Sequence, residues 1–315
     1  TESRYGGWHR VTPAAAMNSK RYFPTVRGEV RCHELMAQHT SWQVGGQADY
    51  YFRPCDRGDL SQFLQVLPSE TPLLWVGLGS NLLVRDAGFR GAVICCHGGL
   101  TQLTQLEDRG VIAEAGVACA KVARFCAKAG FSGAEFLAGI PGTVGGALAM
   151  NAGAFGSEIW DIVDQVELIN RDGRIQQHPT HAFKTGYRWV ELLPDHWFVG
   201  ATLKLLRGSE EEGRQRIRSL LVERSEKQPI RASSAGSVFR NPAKDHAARL
   251  IDQAGLKGLK VGGAMVSNQH ANFIVNTGNA CAWDIEKLIA CIQKRVKAKF
   301  GVFLETEVRI VGDRL

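Results

Sequence analysis

The sequence predicts an α+β protein of two domains. Three observations support this prediction: the length, the irregular order of strand-like and helical segments, and a change of composition late in the chain. With 315 residues, the chain is long enough for about two domains of roughly 100–200 residues each. The composition changes at residues 208–214, where the segment GSEEEGR stands, and we place the domain boundary there.

The first elements follow from hydrophobic periodicity. The pattern of residues 47–54 predicts a strand. Residues 59–67 carry leucine and phenylalanine at helical spacing, which predicts a helix. A buried strand is predicted at residues 72–76, and a glycine turn follows it at residues 77–81. Two further extended segments are expected after that turn, at residues 82–84 and 91–96.

A second block of elements begins with a strand at residues 111–117. A helix at residues 118–129 follows it and ends before Gly130, a typical residue after a helix end. The remaining segments of this block look extended and lie at residues 162–169, 174–178 and 197–206. The last hundred residues predict helices at 217–227, 245–254 and 283–299, and strands at 271–276 and 302–311. We expect residues 1–22 to be an irregular extension.

Composition and charge exclude several classes of protein. Hydrophobic residues make up 44% of the chain and charged residues 22%, as in soluble globular proteins. The net charge is +7, but the densest basic run, residues 294–299, ends a predicted amphipathic helix, where cations are favourable. No basic stripe with interleaved aromatic residues is present, so nucleic acid is not an expected partner.

The cysteines and the apolar segments also argue for a cytoplasmic protein. Eight cysteines show no metal-ligand spacing, so no metal site is predicted, and we expect buried thiols in a reducing compartment. The least polar stretch, residues 136–155, is interrupted by Pro141, Asn151 and several glycines and could not span a membrane. No signal peptide is apparent at the start of the chain.

Two glycine-rich segments carry the first functional indication. Residues 77–82 lack the third glycine of the dinucleotide fingerprint, and a strand pattern follows them instead of a helix. Backbone N–H groups and the Ser80 and Asn81 side chains could still hold phosphate, although an ordinary tight turn would have the same pattern. Residues 139–146 hold four glycines and a proline. Together the two segments indicate two sides of one extended phosphate-bearing ligand, and a flavin dinucleotide has a suitable size.

Three further residues could carry chemistry. Ser237 follows Gly236, but Ala235 and Phe239 stand where the nucleophile elbow of hydrolases has glycines, so a hydrolase is disfavoured. A serine that caps a turn is the alternative. Arg188 comes two residues after Gly186. It could take part in the chemistry or be a surface arginine beside a turn. In the predicted last strand, Leu304, Thr306 and Val308 share one face, which places Glu305 and Glu307 on the other.

The order and spacing of these motifs resemble the family of UDP-N-acetylenolpyruvoylglucosamine reductases, flavoenzymes of peptidoglycan precursor synthesis. The resemblance extends from about residue 33 to residue 312. Its motifs are HTSWQVGG at 39–46, LGSNLLV at 78–84, AGIPGTVGG at 138–146, MNAGA at 150–154, AGSVFRNP at 235–242, GGA at 262–264, HANFIVN at 270–276 and LETEV at 304–308.

This resemblance implies an FAD-binding domain of the vanillyl-alcohol-oxidase (PCMH) type at residues 23–208, in two subdomains at about 23–89 and 90–208. A C-terminal α+β substrate-binding domain at residues 209–315 would follow. FAD would be bound non-covalently. The residues implied to hold it are Gly77, Gly79, Ser80, Asn81, Leu82, Gly139, Ile140, Pro141, Gly142, Gly145, Gly146 and Asn151.

The resemblance also implies the catalytic and substrate-binding residues. Ser237 would donate a proton to the substrate, Arg188 would bind its carboxylate, and Glu307 would be the acidic partner. The residues implied to contact the UDP-sugar are Tyr187, Arg224, Lys227 and Asn241. NADPH would be the co-substrate, UDP-N-acetylglucosamine enolpyruvate the substrate, and a monomer the expected state.

Two departures from the family pattern affect substrate binding. Only a short segment separates Arg188 from Arg224, so the long tyrosine-bearing substrate loop is absent and the chain resembles the shorter-loop class. Met265 stands where glutamine is common. Two other functions compete with the reductase: an FAD-dependent oxidase of the same binding fold, and a UDP-sugar-sensing module without chemistry. An oxidase often links its flavin to a His or Cys in the glycine turns, and a sensing module would lack Ser237, Arg188 or Glu307.

Overall fold

The structure is a computed structural model that describes residues 23–107 and 110–314. The extension predicted at residues 1–22 lies outside the described residues. Within them, no helix is long and apolar enough to cross a membrane. The sheets, helices and packed clusters follow the order of the chain in three regions, and the candidate site lies where the three regions meet.

The first region is a four-stranded sheet covered by one helix. Strand order in the sheet is β1-β2-β5-β3, with β1 antiparallel to β2 and both other pairs parallel. The Asp56 side chain accepts a hydrogen bond from the backbone N–H of Asp59 at 2.8 Å and thereby caps the helix. The elements are β1 (Glu29–Leu35), β2 (Gln47–Arg53), α1 (Arg57–Val66), β3 (Leu73–Val76), β4 (Leu82–Val84) and β5 (Phe89–Cys95).

The second region contains a five-stranded antiparallel sheet, two α-helices and several short strand pairs. Its elements are β6 (Leu103–Leu106), β7 (Gly110–Glu114), α2 (Cys119–Lys128), β8 (Phe131–Ser132), α3 (Val144–Met150), β9 (Gly153–Ala154), β10 (Ser157–Glu158), β11 (Val163–Asn170), β12 (Ile175–Pro179), β13 (Thr185–Gly186), β14 (Trp189–Val190), β15 (His196–Lys204) and β16 (Leu206–Arg207). The large sheet has the order β12-β11-β15-β7-β6, and α2 and α3 pack on one core with it.

The third region begins with a long helix and ends on a strand that returns to the first region. Its elements are α4 (Glu210–Lys227), α5 (Ala247–Gln253), β17 (Lys260–Val261), β18 (Ala264–Val266), β19 (Ile274–Asn276), α6 (Ala282–Phe300) and β20 (Arg309–Val311). Strands β17, β18 and β19 form an antiparallel sheet. The apolar stripe of α6, predicted from its spacing, is buried, and its terminal lysines are exposed as expected.

Residue-level contacts join the third region to the first. Strand β20 pairs in parallel with β4. The Asp86 carboxylate accepts hydrogen bonds from the backbone N–H groups of Ala282 and Trp283, both at 2.9 Å, at the start of α6. Arg85 donates to both carboxylate oxygens of Glu286, at 2.9 and 3.0 Å. These contacts place the segment before β20 against the glycine turn before β4.

Two predicted elements differ from the structure. The second glycine segment is not wholly a turn, because Gly145 and Gly146 lie in the short helix α3. The predicted strand at 302–311 is regular only over β20, and residues 302–308 are irregular apart from a bridge between Thr306 and Phe239. Consequently Glu305 is exposed and Glu307 is not, so the two do not share a face.

The helix at the composition change also differs. It begins at Glu210 and not near Ile217, with the Ser209 hydroxyl accepting from the N–H of Glu212 at 3.4 Å. Acidic residues suit a helix N-terminus, so the segment taken as a boundary is a helix start. Ile217 of α4 packs in the core of the second region together with Val122. The boundary at residue 209 stays a prediction.

The cysteines are only partly as expected. All eight are free thiols. The buried ones are Cys95, Cys96, Cys119 and Cys126, whereas Cys55 and Cys281 are exposed and Cys32 and Cys291 half-buried. The interpretation as small core residues therefore holds for four of them.

Candidate active site

A cavity of about 840 Å³ lies where the three regions meet. Its volume falls within the range of about 300–1,000 Å³ that is usual for small-molecule and cofactor sites. Both glycine segments line it, and so do Arg188, Ser237 and Glu307. No histidine or cysteine is among the described residues of its wall, and the described part of the chain holds no group of three or more His, Cys, Asp or Glu that could bind a metal.

The first glycine turn connects β3 to β4 at the cavity wall. Gly79 has a φ of +62°, and a Cβ there would collide with the carbonyl oxygen of His39. Only glycine meets both conditions. The backbone N–H of Ser41 donates to the carbonyl of Gly79 at 3.1 Å, so the segment after β1 supports the turn. All five predicted residues of this turn (Gly77, Gly79, Ser80, Asn81 and Leu82) line the cavity.

The second glycine segment lies beside the first. A Cβ on Gly77 would collide with the side chain of Thr143, which shows how closely the two segments pack. Gly139, Ile140, Pro141, Gly142 and Gly146 line the cavity as predicted. Gly145 does not line it, because it packs against Ala115, whose carbonyl accepts from the Gly145 N–H at 2.9 Å.

Arg188 occupies the tip of the hairpin formed by β13 and β14. Its φ is +56°, an uncommon conformation for a residue other than glycine. Its Nε donates to Glu307 Oε1 at 3.2 Å, its Nη1 to the carbonyl of Asn151 at 3.3 Å, and its Nη2 to that of Gly153 at 2.9 Å. The side chain is only 16% exposed, so its guanidinium has a defined position in the cavity wall.

Asn151 lies behind Arg188 and not on the cavity wall. It ends α3 in the left-handed conformation, with a φ of +46°. Its Nδ2 donates to Glu158 Oε2 at 2.6 Å and to the carbonyl of Gly186 at 3.1 Å. These bonds tie α3 to the Arg188 hairpin. The bonds observed for Asn151 give it a structural role behind Arg188, and its direct contact with the cofactor stays a prediction.

Glu307 is held by backbone contacts from two directions. Its N–H donates to the carbonyl of Val238 at 2.8 Å, and Asn81 Nδ2 donates to its carbonyl at 3.1 Å. The side chain is 13% exposed. Burial raises the pKa of this carboxyl above its ordinary value, although the Arg188 guanidinium acts in the opposite direction. The protonated form is therefore more accessible than in an exposed glutamate.

Ser237 lies in a loop that a buried asparagine holds in place. The backbone N–H of Val238 donates to the carbonyl of Asn272 at 2.9 Å, and that of Phe239 donates to its Oδ1 at 3.0 Å. Asn272 Nδ2 in turn donates to the carbonyl of Phe239 at 2.8 Å. The loop is thus fixed on the same cavity as Arg188 and Glu307.

The four predicted substrate contacts fall into two groups. Arg224 and Lys227 occupy the last turn of α4 and line the cavity. Burial lowers the pKa of Arg224, and Lys227 pairs with Glu223 at 2.6 Å.

Tyr187 and Asn241, the other two, do not line the cavity. Tyr187 lies half-exposed with its ring centroid 5.0 Å from the Arg188 guanidinium, and Asn241 Oδ1 accepts from the N–H of Ala247 at the start of α5.

Two family models match the chain on either side of the Arg188 hairpin. The model of an FAD binding domain matches residues 48–178. The model of the C-terminal domain of UDP-N-acetylenolpyruvoylglucosamine reductase matches residues 228–311. The first match contains both glycine segments, and the second contains Ser237 and Glu307.

Relatives that match most of this chain are also named UDP-N-acetylenolpyruvoylglucosamine reductase. The UDP-N-acetylenolpyruvoylglucosamine reductase of Methylococcus capsulatus is 55% identical over 290 residues, which are 91% of this chain and 94% of that protein. The reductase of Nitrosococcus oceani is 53% identical over 289 residues, 92% of this chain and 97% of that protein. This chain belongs to the UDP-N-acetylenolpyruvoylglucosamine reductase family.

A solved structure shows the same fold. The reductase of Thermus caldophilus superposes with a TM-score of 0.77 at 36% identity, over 90% of this chain and 98% of that one. The fold class predicted for the FAD-binding and C-terminal domains is confirmed. The reductase family acts in peptidoglycan precursor synthesis with FAD as cofactor and NADPH as co-substrate, so the oxidase and sensing-module alternatives are disfavoured.

The cavity fits the FAD that the reductase family uses. Its two glycine segments bring backbone to the cavity wall at Gly79 and Gly142, where no side chain intervenes, and such backbone suits a diphosphate. A Cβ at Gly236 would meet no described residue within 4 Å other than its chain neighbours, so there is open space beside Ser237.

Three further residues shape the site and are not among those predicted from the sequence. Thr143 packs against the first glycine turn, Asn272 holds the Ser237 loop, and Arg240 donates from Nη2 to the carbonyl of Arg188 at 3.2 Å. Each lies within a motif that resembles the reductase family. The signal available in the sequence was a polar residue inside a glycine-rich or apolar motif.

Proposed function

We propose that this protein reduces UDP-N-acetylglucosamine enolpyruvate in this cavity. Arg188, Glu307 and Ser237 are the residues that act on the enolpyruvyl group. The observation that carries the proposal is their arrangement: all three line the cavity that the two glycine segments also line. When bound, FAD supplies the hydride that NADPH has delivered to it. The roles below concern the side chains of this chain.

Arg188 binds the substrate carboxylate. Three of its five guanidinium N–H groups are used in the bonds to Glu307, Asn151 and Gly153. The remaining two are one N–H on each terminal nitrogen, a pair that can bind a carboxylate, and Glu158 Oε1 lies 3.7 Å from Nη1. Hydride addition to the vinyl carbon leaves negative charge on the carbon next to that carboxylate. A guanidinium already in position stabilises the charge as it spreads onto oxygen.

Glu307 assists Arg188. Because burial raises its pKa, the protonated carboxyl is more accessible than in an exposed glutamate, and in that form it can donate a hydrogen bond to the same oxygens. Its bond to Arg188 Nε keeps both groups in one place. The pair therefore provides both a positive charge and a hydrogen-bond donor for the carboxylate oxygens of the enolate.

Ser237 supplies the proton that completes the reduction. A serine hydroxyl is a weak acid, but the carbon of an enolate is a far stronger base than water, so the transfer is favourable. The rigid loop held by Asn272 fixes the direction from which the proton arrives. The transfer breaks the Ser237 O–H bond and forms a C–H bond at the enolate carbon, and the serine alkoxide then regains a proton from solvent. The double bond of the enolpyruvyl group is thereby replaced by two C–H bonds, one from the hydride and one from the hydroxyl proton.

The UDP moiety is bound by residues at the end of α4. Arg224 and Lys227 provide positive charge for the diphosphate, with Asn241 and Tyr187 as the further substrate contacts predicted from the sequence. Because Tyr187 and Asn241 lie outside the cavity lining, their contact requires the substrate to extend beyond it. We further propose a cytoplasmic monomer that binds neither nucleic acid nor membrane.

A visible absorption spectrum of the purified protein with bound FAD tests this function. Under anaerobic conditions, NADPH should bleach the flavin band and the enolpyruvyl UDP-sugar should restore it. A band that returns only with oxygen would contradict the reductase function. Absence of a flavin band after reconstitution with FAD would contradict the cofactor itself.

A further inference from the structure

Arg240 links the Ser237 loop to the Arg188 hairpin. It lies three residues after Ser237 and lines the cavity. Its Nη2 donates to the backbone carbonyl of Arg188 at 3.2 Å. The side chain thus reaches from the third region of the fold across to the tip of the hairpin in the second.

The backbone of Arg240 is itself held firmly. Its N–H donates to the carbonyl of Glu305 at 2.9 Å, and the neighbouring Phe239 forms a bridge with Thr306. The segment that carries Glu307 therefore also anchors Arg240. A side chain on such an anchored backbone can hold a partner in position.

The hairpin needs contacts from outside. Its strands β13 and β14 have two residues each, so their own ladder is minimal. Arg188 at the tip has a φ of +56°, a conformation that persists in a residue other than glycine only when its surroundings hold it. Within the described part of the chain, two side chains from other segments donate to the hairpin backbone: Asn151 to the carbonyl of Gly186, and Arg240 to that of Arg188.

We propose that Arg240 is a positioning residue for substrate reduction, because its bond to the Arg188 carbonyl keeps the hairpin tip in the conformation that holds the Arg188 guanidinium beside Glu307. This inference depends on the role proposed above for Arg188. Arg240 acts through Arg188 and need not touch the reacting atoms.

Direct contact between Arg240 and the substrate is the competing explanation. The Nε of Arg240 is buried and no described residue accepts a hydrogen bond from it. A buried N–H without a protein partner is available to an oxygen of a bound ligand. Direct substrate contact and action through Arg188 differ in one measurable respect, which is whether the effects of substitutions at residues 240 and 188 add.

A double-mutant cycle separates the two. Arg240→Met, Arg188→Lys and the combined variant are loaded with FAD, reduced anaerobically, and mixed with the enolpyruvyl UDP-sugar in a stopped-flow instrument. Displacement of a catalytic group by about 1 Å can cost about a hundredfold in rate. We therefore expect Arg240→Met to slow flavin reoxidation by about ten- to a hundredfold. The combined variant should be no slower than Arg188→Lys alone.

Three controls distinguish positioning from loss of folding. Flavin reduction by NADPH should change less than about twofold in Arg240→Met if misplacement is local to Arg188. Arg240→Lys keeps a charged donor and should reoxidise faster than Arg240→Met, and it serves as the second variant if the methionine variant does not fold. Arg249→Met removes an exposed arginine of α5 that pairs with Asp245, just before the helix, and should match the wild type.

Additive effects in the cycle would overturn the inference and assign Arg240 to direct substrate contact. Unchanged reoxidation in Arg240→Met, or equal loss in both half-reactions, would also overturn it. A wild-type protein whose flavin is not reoxidised by the sugar would contradict the proposed function instead, and the inference with it.

Discussion

The Ser237 hydroxyl has one proposed role, which is to transfer a proton to the enolate carbon. Ser237→Ala should slow flavin reoxidation by the enolpyruvyl sugar by about 10²–10⁴-fold, because general acid catalysis contributes about that much. Flavin reduction by NADPH should be preserved. Stopped-flow measurement of both half-reactions checks this, with Ser234→Ala as the control in the same loop. Equal slowing of both half-reactions would contradict the proton-donor role.

Glu307 makes stability depend on pH. Its pKa is raised in the folded state, so the folded protein binds the proton more tightly than the unfolded chain. The contribution of Glu307 to the free energy of unfolding therefore falls as pH rises from the ordinary value near 4.5 to the raised folded value, and is then level. Glu307→Gln removes this loss.

The melting temperature of Glu307→Gln, relative to that of the wild type, should accordingly increase between about pH 4.5 and pH 8. Thermal unfolding followed by circular dichroism across this range measures the difference. Glu305→Gln is the matched control, because Glu305 is exposed on the same segment. A difference that is independent of pH would contradict a raised pKa for Glu307.

Helix α3 and the Arg188 hairpin act together through Asn151. Asn151→Ala removes the bonds to Glu158 and Gly186 and places alanine at a positive φ. We expect the free energy of unfolding to fall by about 1–3 kcal/mol, the usual cost of leaving buried polar partners unpaired. Turnover should fall as well, since Arg188 loses its support.

Asn151→Gly separates the two causes of that loss. Glycine lacks the same hydrogen bonds but accepts the positive φ without strain. Denaturant unfolding should therefore give a smaller loss for glycine than for alanine. If both variants were as stable as the wild type, the Asn151 bonds would not hold the hairpin.

How well the elements could be predicted depends on their length and regularity. The long helix α6 and the strands β2 and β3 follow directly from apolar spacing, and the structure confirms them. Helix α3 is seven residues long and rich in glycine, so it has no amphipathic pattern to detect. The last strand was predicted too long, because alternating side chains at residues 304–308 resembled a strand that the backbone does not form.

The whole molecule depends on contacts between residues far apart in the chain. Strand β20 pairs with β4, and Asp86 caps α6, across more than half of the sequence. No local pattern predicts such contacts. They explain why Glu307 was identified from a family motif, whereas its bond to Arg188 and the Arg240 contact required the structure.

The cap of α6 offers a test of this long-range connection. Asp86→Ala leaves the N–H groups of Ala282 and Trp283 without their acceptor. We expect a loss of about 0.5–2 kcal/mol in the free energy of unfolding, as for other helix N-caps. Asp172→Ala, in an exposed turn between β11 and β12, should have little effect. An unaltered stability of the Asp86 variant would mean that the junction does not depend on this cap.

The central claim is that the fork of Arg188 binds the substrate carboxylate and stabilises charge during reduction. Arg188→Lys tests it most directly, because lysine keeps the charge but not the planar fork. Both half-reactions are measured anaerobically by stopped flow on the FAD-loaded protein. We expect flavin reduction by NADPH to persist and reoxidation by the enolpyruvyl UDP-sugar to slow by about a hundredfold or more. Reoxidation at the wild-type rate would contradict this role for Arg188.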